Sequence, residues 1–579
     1  MFTRIWRAIN DLLLRLALSL KRFPEALALA LAIVVILIFI NHNHPQEDTL
    51  SKVAMVLALG IPLSLCIRML EERNLLSKVT GIIFHVLGAV GLVLYYHFFL
   101  PDLGMVAVSR YIAITIALYL LFLVIPYWGR REGFEIYVIK LFTGFIVTYF
   151  YSLILFLGLV AILFTVNTLF SAGISNEVYF DLFFIVGGIF APAYFLSGVP
   201  AYGVVYGVNE YPKFLKVLLL YIVMPLLTVY TGILYVYFIK ILVTRYWPAG
   251  IVSHLVLWYS FITIAVIFLI FLLQERSLWA RTFSVFLPKL ILPLLTMMFF
   301  AIGIRINAYG FTENRYFVLA GGIWATGSML YYAFKKHPRH IKVLVAAALI
   351  AVLAVTGPWS CYEVSKYSQN LQFEKLLVSN NMLINGKIVP SSTISVEDRV
   401  SISSIIQYFD RKHSLSELKL LPPDFTLEQM KEVFGFELTY SPRIQYFYHH
   451  LVEEGKLLDV RDYDYYLPST SFLNQRANTS VNNRGENLSI SFAHESGLLK
   501  ISKQDRLIYE KDLKEVALAI HEANRGADGL NLEDMTVVEE NEHLKILVQF
   551  FHISGTEENE AGEPRIDWLD FSLLLKVKE

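Results

Sequence analysis

The chain has 579 residues, 56% hydrophobic, 14% aromatic and only 17% charged, with 49 basic and 49 acidic side chains. Soluble globular chains carry about a quarter charged residues, so this composition excludes a purely soluble or disordered protein, because so much apolar surface needs lipid to cover it. The zero net charge divides into +12 over residues 1–359 (26 basic, 14 acidic) and −12 over residues 360–579 (23 and 35), and an acidic second half excludes nucleic-acid binding through a basic patch.

The first 23 residues predict an amphipathic helix lying in a membrane interface. Arg4, Arg7, Asp11, Arg15 and Arg22 recur at helical spacing, opposite Ile5, Trp6, Ile9, Leu12, Leu13, Leu16 and Leu20. No small-residue cleavage site follows the next apolar run, so the segment reads as retained.

Eleven apolar runs follow, near 24–40, 50–69, 75–100, 104–127, 135–170, 178–200, 214–241, 250–273, 285–304, 315–334 and 341–359. A spanning helix needs roughly 20 apolar residues. The run at 135–170 is read as one long helix, since Gly144 and Gly158 alone are a poor turn signal. With the N-terminus in the cytoplasm, 20 Lys and Arg fall on cytoplasmic segments. Only 6 (Lys52, Arg110, Lys240, Arg245, Arg305 and Arg315) fall opposite. That bias sets orientation. An odd number of spans then places the C-terminal half outside the cytoplasm, with a bacterial inner membrane as the expected location. Cys66 and Cys361 fall at opposite ends of spans, so they read as lone thiols rather than a disulfide.

From Ser360 the periodicity changes. Residues 363–380 read as a helix and Asn385-Gly386 as a hairpin turn. Short helices start near Ser395 and Thr426, and the remainder alternates as strands around one helix in KDLKEVALAIHEANR. The expected fold is an α-helical polytopic bundle of about 11 spans (24–359), preceded by the interfacial helix 1–23 and followed by an extracytoplasmic α+β domain (360–579).

Candidate sites are few. Glu47 and Asp48 in the first outer loop suit a general base or metal site of a lipid-linked transferase, or a solvated loop in which Asp48 or Thr49 caps the next span. His42 and His44 supply two potential metal ligands without a third, and His449-His450 with Glu453 and Glu454 reads better as an exposed charged helix face than as a metal site. Within or near spans, His85, His97, Asn167, His254, Arg305, Lys140, Asp181 and Lys289 are the costly polar groups. Residues 187–214 are the most irregular membrane segment, with Pro192, Pro200 and Pro212, small Gly203 and Gly207, and Tyr202 among four tyrosines. Such a segment suits either a broken helix lining a transport pathway or close helix packing with an aromatic belt. Neither a cofactor motif nor a nucleophile, phosphate-loop or paired-cysteine motif is present.

YGFTENRYFVLAGGIWATGSMLYY (309–332), GPWSCYEVSKYSQ (357–369) and SISSIIQYFDRKH (401–413) together resemble the bacterial multi-pass membrane family catalogued as domain of unknown function number 4153. The resemblance implies a membrane location and carries no catalytic residue or activity. In physical terms Thr312 suits a helix cap, Glu313 its positive end, and Arg315 a partner for Glu313 or a headgroup. Gly357-Pro358 ends the last span, and Trp359 anchors it at the interface. These motifs are expected to mark how the outer domain docks on the spans. The expected function is non-enzymatic: membrane lipid around the spans and an envelope partner or ligand on the outer domain, coupled to transport or sensing. The alternatives are a transporter using residues 187–214 and a lipid-linked glycosyl or phosphoryl transferase using Glu47 and Asp48.

Overall fold

The computed structural model describes residues 2–45, 48–130, 133–202, 211–245, 251–391, 393–439, 446–452, 460–472, 479–483, 488–504, 506–527, 529–556 and 564–578. The chain forms two compact units, Met1–Leu438 and Thr439–Glu579.

In the first unit α1 (Phe2–Arg22) precedes α2 (Pro24–Asn43), where Pro24 occupies the first helical turn, the place its missing N–H costs nothing. Then come α3 (Thr49–Glu72), α4 (Lys78–Phe99), α5 (Met105–Val124) and α6 (Phe134–Phe170). The helix α6 is unbroken over 37 residues, about 55 Å at 1.5 Å per residue. That exceeds a hydrocarbon core of about 30 Å, so α6 tilts or protrudes. The series continues with α7 (Asn176–Ser197), α8 (Lys213–Thr244), α9 (Val252–Leu273), α10 (Leu278–Tyr309) and α11 (Glu313–Phe334). Among the described residues ten helices, α2 to α11, are long and apolar enough to cross a membrane, which is the architecture of a multi-pass membrane protein. The eleventh apolar run forms the shorter α12 (His340–Val355), of 16 residues.

Two of these helices widen locally. Residues Val186–Phe190 of α7 and Leu218–Val223 of α8 take π-helical turns, and Pro192 and Pro225 follow each stretch by two residues. A helical proline lacks the N–H and clashes with the carbonyl four residues back, here at Gly188 and Tyr221, and a π turn at that carbonyl relieves both problems.

Beyond α12, Gly357 takes a positive φ and the chain turns into α13 (Cys361–Ser379), capped by the Ser360 side chain. Strands β1 (Leu383–Ile384) and β2 (Lys387–Ile388) close the expected hairpin, with Asn385 and Gly386 both at positive φ as its tight turn requires. Ser395 caps α14 (Val396–Lys412), and Thr426 forms a capping box with Gln429 just before α15 (Met430–Phe434). Phe373, Leu377, Ile402, Phe409 and Phe434 form a core among these elements. The unit boundary therefore falls after Leu438, whereas the composition changes near residue 360. The second unit keeps most of the acidity, with 15 Lys and Arg against 25 Asp and Glu, net −10.

That unit is α+β. Its larger sheet runs β4 (Tyr465–Leu467), β12 (Arg565–Val577), β11 (Leu544–Thr556), β3 (Tyr446–Leu451), β9 (Gly529–Leu530), with β10 (Thr536–Glu540) on the other half of β11. The smaller is a meander of β5 (Thr479–Asn483), β6 (Leu488–Ala493), β7 (Leu498–Lys503) and β8 (Arg506–Asp512). Among the described residues the pairs are antiparallel except β3 with β9. Helix α16 (Leu513–Ala523) starts on an Asp512 cap and packs into a core with Phe447, Phe492, Phe550 and Phe571. The His449-His450 pair belongs to strand β3, so the exposed helix face expected there is replaced by opposite sheet faces: His449 is buried against His521, at 3.0 Å, and His450 points the other way. Glu453 and Glu454 lie outside the described residues.

Candidate functional site

Two large cavities lie among the spans, on either side of α6, whose Val138 and Phe142 line both. One, about 1110 Å³, is bounded by α2, α3, α5, α6 and the widened part of α7, where Gly187, Gly188 and Pro192 form its wall. The irregular segment 187–214 thus contributes its described start to a cavity. The other, about 850 Å³, lies between α5, α6, α9, α11 and α12. Its lining is mostly Leu, Ile, Val, Ala and aromatic rings, such as Phe261, Phe268 and Trp324. The first exceeds, and the second falls within the upper part of, the range of pockets that hold ordinary small ligands, which reaches roughly 1,000 Å³.

Polar lining groups of the second cavity gather at the end where α5, α9 and α11 begin: Ser109, His254 and Asn314. Ser109 is committed, sharing a 2.7 Å hydrogen bond with the Tyr362 hydroxyl of α13. His254 and Asn314 are exposed and make no side-chain hydrogen bond among the described residues. At the other end Tyr332 binds His340 Nδ1 at 2.9 Å and Trp324 donates to the Val343 carbonyl, so those polar atoms are already satisfied.

Next to Asn314 stands Glu313, which is only 2% exposed. Its Oε1 accepts from the Tyr408 hydroxyl at 2.5 Å and from His413 Nε2 at 2.8 Å, and Lys412 Nζ lies 3.4 Å from Oε2. A buried carboxylate is tolerated only with such compensation. Burial, then the adjoining Glu313 carboxylate, pushes the Tyr408 phenol up, so it stays a proton donor. Around this cluster α13 docks on the α10–α11 turn: the Phe311 amide donates to Ser368 Oγ, and Gln369 Nε2 donates to the carbonyls of Tyr309 and Phe311. Gly310 takes φ +69°, and a Cβ there would lie 3.0 Å from Ser368 Oγ and from Gln369 Nε2. Burial pushes the neighbouring Cys361 thiol up to about 12.

Several sequence readings shift in detail. Thr312 precedes α11 but makes no side-chain cap, and Arg315 turns away from Glu313 to the carbonyls of Tyr309 and Gly310, at 3.1 and 2.6 Å. The Trp359 ring is half exposed while its carbonyl accepts from the Tyr316 hydroxyl. Arg22 faces the bundle, not headgroups: it holds both oxygens of Glu72 at 2.8 Å and reaches the Val199 and Pro200 carbonyls. Tyr202 accepts a hydrogen bond from Arg130 at 2.9 Å, whereas Gly203, Gly207 and Glu47 lie outside the described residues. Asp48 is exposed and makes no cap bond. His42 meets Asp181 at 2.6 Å, and Asn41 donates to the same carboxylate, which ties α2 to α7. Among the described residues no group of three His, Cys, Asp or Glu could hold a metal ion. Tyr408, Lys412 and His413 lie in the stretch 401–413, outside the candidate residues that the sequence marks. Their signal was a polar face at i, i+4 and i+5, closing a helix otherwise rich in buried Ile and Phe.

The model of a family described as Domain of unknown function (DUF4153) matches residues 26–383, well over half of the chain. The chain belongs to that family. The match takes in α2 to α13 and the first two resembling stretches, and it ends before the third, 401–413. No curated protein and no solved structure matches the chain.

Proposed function

We propose that this membrane protein binds the hydrocarbon chains of a lipid, or of a lipid-linked molecule, between its spans and moves or presents it without covalent chemistry. The carrying observation is the pair of apolar cavities flanking α6, one of them with unpaired polar side chains, His254 and Asn314, gathered at one end among the described residues. A void at membrane depth forfeits dispersion contacts on every lining atom, and the surrounding solvent is itself hydrocarbon, so chains fill it. Selectivity then belongs to the polar end, where a headgroup meets free hydrogen-bonding groups. The wall at Gly187 and Gly188 supports the transport reading of residues 187–214, since π turns within helices are frequent at functional sites.

In the same proposal the N-terminus is cytoplasmic, as the 20 to 6 bias of basic residues supports. The second unit lies outside the cytoplasm of a bacterial inner membrane and meets a ligand or envelope partner there. The test is lipid analysis by mass spectrometry of protein purified in detergent. Gly187→Leu combined with Ala351→Phe narrows both cavities, and the co-purifying lipid is expected to fall several-fold. An unchanged lipid complement in a folded double variant overturns the reading.

A further inference from the structure

At the end of the spans where α3, α5 and α7 finish and α6 begins, a cluster of four arginines contains only two carboxylates among the described residues. Arg22 holds both oxygens of Glu72, and Arg68 binds Glu71 at 2.8 Å. Arg73 and Arg130 are left over. Arg73 donates to the carbonyls of Ile125 and Trp128, at 2.6 and 2.8 Å, and its Nε is sealed from solvent with no partner. Arg130 is exposed and gives one hydrogen to the Tyr202 hydroxyl, at 2.9 Å. Among the described residues neither arginine makes an ion pair, and Glu135 in the first turn of α6 pairs with neither.

Both leftover guanidinium groups lie against one ring. Their central carbons are 6.0 Å (Arg73) and 4.4 Å (Arg130) from the centroid of Tyr202. They therefore stand no more than about 10 Å apart, one Debye length at 0.1 M salt, and repel each other. Carbonyl and phenol oxygens accept their hydrogens without neutralising their charge, and of five N–H donors each, Arg73 has used two and Arg130 one. Two like charges brought together from distant parts of the chain with no acid between them favour an anion that accepts from both, and guanidinium forks match phosphate oxygens. Position selects the kind of anion. Leu123, which lines the larger cavity, lies two residues before Ile125, whose carbonyl receives Arg73. Leu196 of the same lining lies six residues before Tyr202, and Leu65 lies eight before Arg73, about 12 Å along α3. No charged side chain lines that cavity among the described residues, so its rim, and not its wall, supplies charge to a headgroup.

We propose that Arg73 and Arg130 hold the phosphate of an anionic lipid headgroup whose chains lie in the larger cavity, which rests on the lipid-binding function proposed above. The probe is dioctanoyl phosphatidylglycerol, titrated into the detergent-solubilised full chain, with binding read from the rise in unfolding temperature. Dioctanoylglycerol has the same chains without the phosphate, and glycerol 3-phosphate has the phosphate without the chains. Wild type should bind the phosphatidylglycerol at least about tenfold tighter than dioctanoylglycerol, since each arginine near an anionic headgroup contributes attraction and the two act together. Arg130→Gln removes an exposed side chain with one hydrogen bond and should lower that ratio about threefold or more, whereas Arg130→Lys retains most of it. Arg130→Glu reverses the charge without touching the bonds of Arg73 and should abolish the preference. Unchanged dioctanoylglycerol binding in these variants shows that the fold and the cavity persist. Equal wild-type affinity for the two lipids, or a preference kept in Arg130→Glu, overturns the headgroup site and leaves the cavity reading standing. Glycerol 3-phosphate binding as tightly as the phosphatidylglycerol overturns the assignment to a lipid. Failure of both lipids to bind wild type overturns the cavity reading and this site with it.

Discussion

Glu313, the first residue of α11, accepts a 2.5 Å hydrogen bond from the hydroxyl of Tyr408, 95 residues further along the chain. One partner begins an apolar spanning helix and the other sits on the helix that completes the small core beyond the spans. The carboxylate is buried, so the protein holds its charge only because Tyr408, His413 and Lys412 converge on it.

Glu313→Gln keeps the shape and removes the charge. It should cost about 1–3 kcal/mol, the range for losing a charged hydrogen-bond acceptor. Glu313→Ala, which strands His413 and Lys412, should cost roughly 3–5 kcal/mol. Thermal unfolding in detergent measures the loss, and trypsin cleavage after Arg411 and Lys412 should accelerate in both variants. Wild-type stability in Glu313→Ala would show that the cluster holds nothing together.

Gly310→Ala tests the docking of α13. The residue sits at φ +69° with Ser368 and Gln369 in contact distance, so a methyl group meets both backbone strain and crowding. A loss of about 1–3 kcal/mol is expected. Gly386→Ala, also at positive φ but facing open space, should cost less.

Arg22→Gln should loosen α1. The fork to Glu72 is bidentate and partly buried, with the side chains 22% and 17% exposed. That exposure puts the expected loss near 2 kcal/mol, below the 3–5 kcal/mol of a fully buried pair. A double-mutant cycle with Glu72→Gln isolates the coupling. Additive effects would mean the two residues act independently.

Cys361 gives a pH-dependent readout. Its folded-state ionisation is raised to about 12, so the thiolate forms more easily in the unfolded chain. Its stabilising contribution is present below about pH 9 and disappears as the pH rises from about 9 to about 12. In a Cys66→Ala background the thiol should resist iodoacetamide at pH 8 until the protein is unfolded. Cys361→Ala should flatten the alkaline limb of the stability profile. Rapid labelling of the folded protein would contradict the burial.

Most of the architecture was legible because it follows from local periodicity. Apolar runs of spanning length marked α2 to α11, Asn385-Gly386 marked its hairpin, and Ser395 marked the start of α14. The run at 135–170 was readable as one helix because nothing in it could turn the chain. Misreadings arose where partners are distant. Arg22 has the spacing of a headgroup-facing residue, but Glu72 and two carbonyls provide a closer site for its guanidinium. His449 and His450 have helical-looking neighbours, but pairing with β11 places them on opposite faces of a sheet. The candidate site was only half legible: residue 187 onward was conspicuous, whereas Tyr408 and His413 acquire meaning only when Glu313 is brought against them.

The sequence by itself determined that this chain occupies a membrane with a basic half and an acidic half, because transfer of apolar and charged groups depends on composition alone. The tertiary structure decided where the acidity resides, concentrating a net −10 in residues 439–579, while residues 360–438 join the unit of the spans. It also decided that the spans leave two cavities beside α6 and that Glu313 is clasped by residues about a hundred positions away. Cavities and buried ion clusters are properties of how surfaces meet, and no run of neighbours along the chain encodes that meeting.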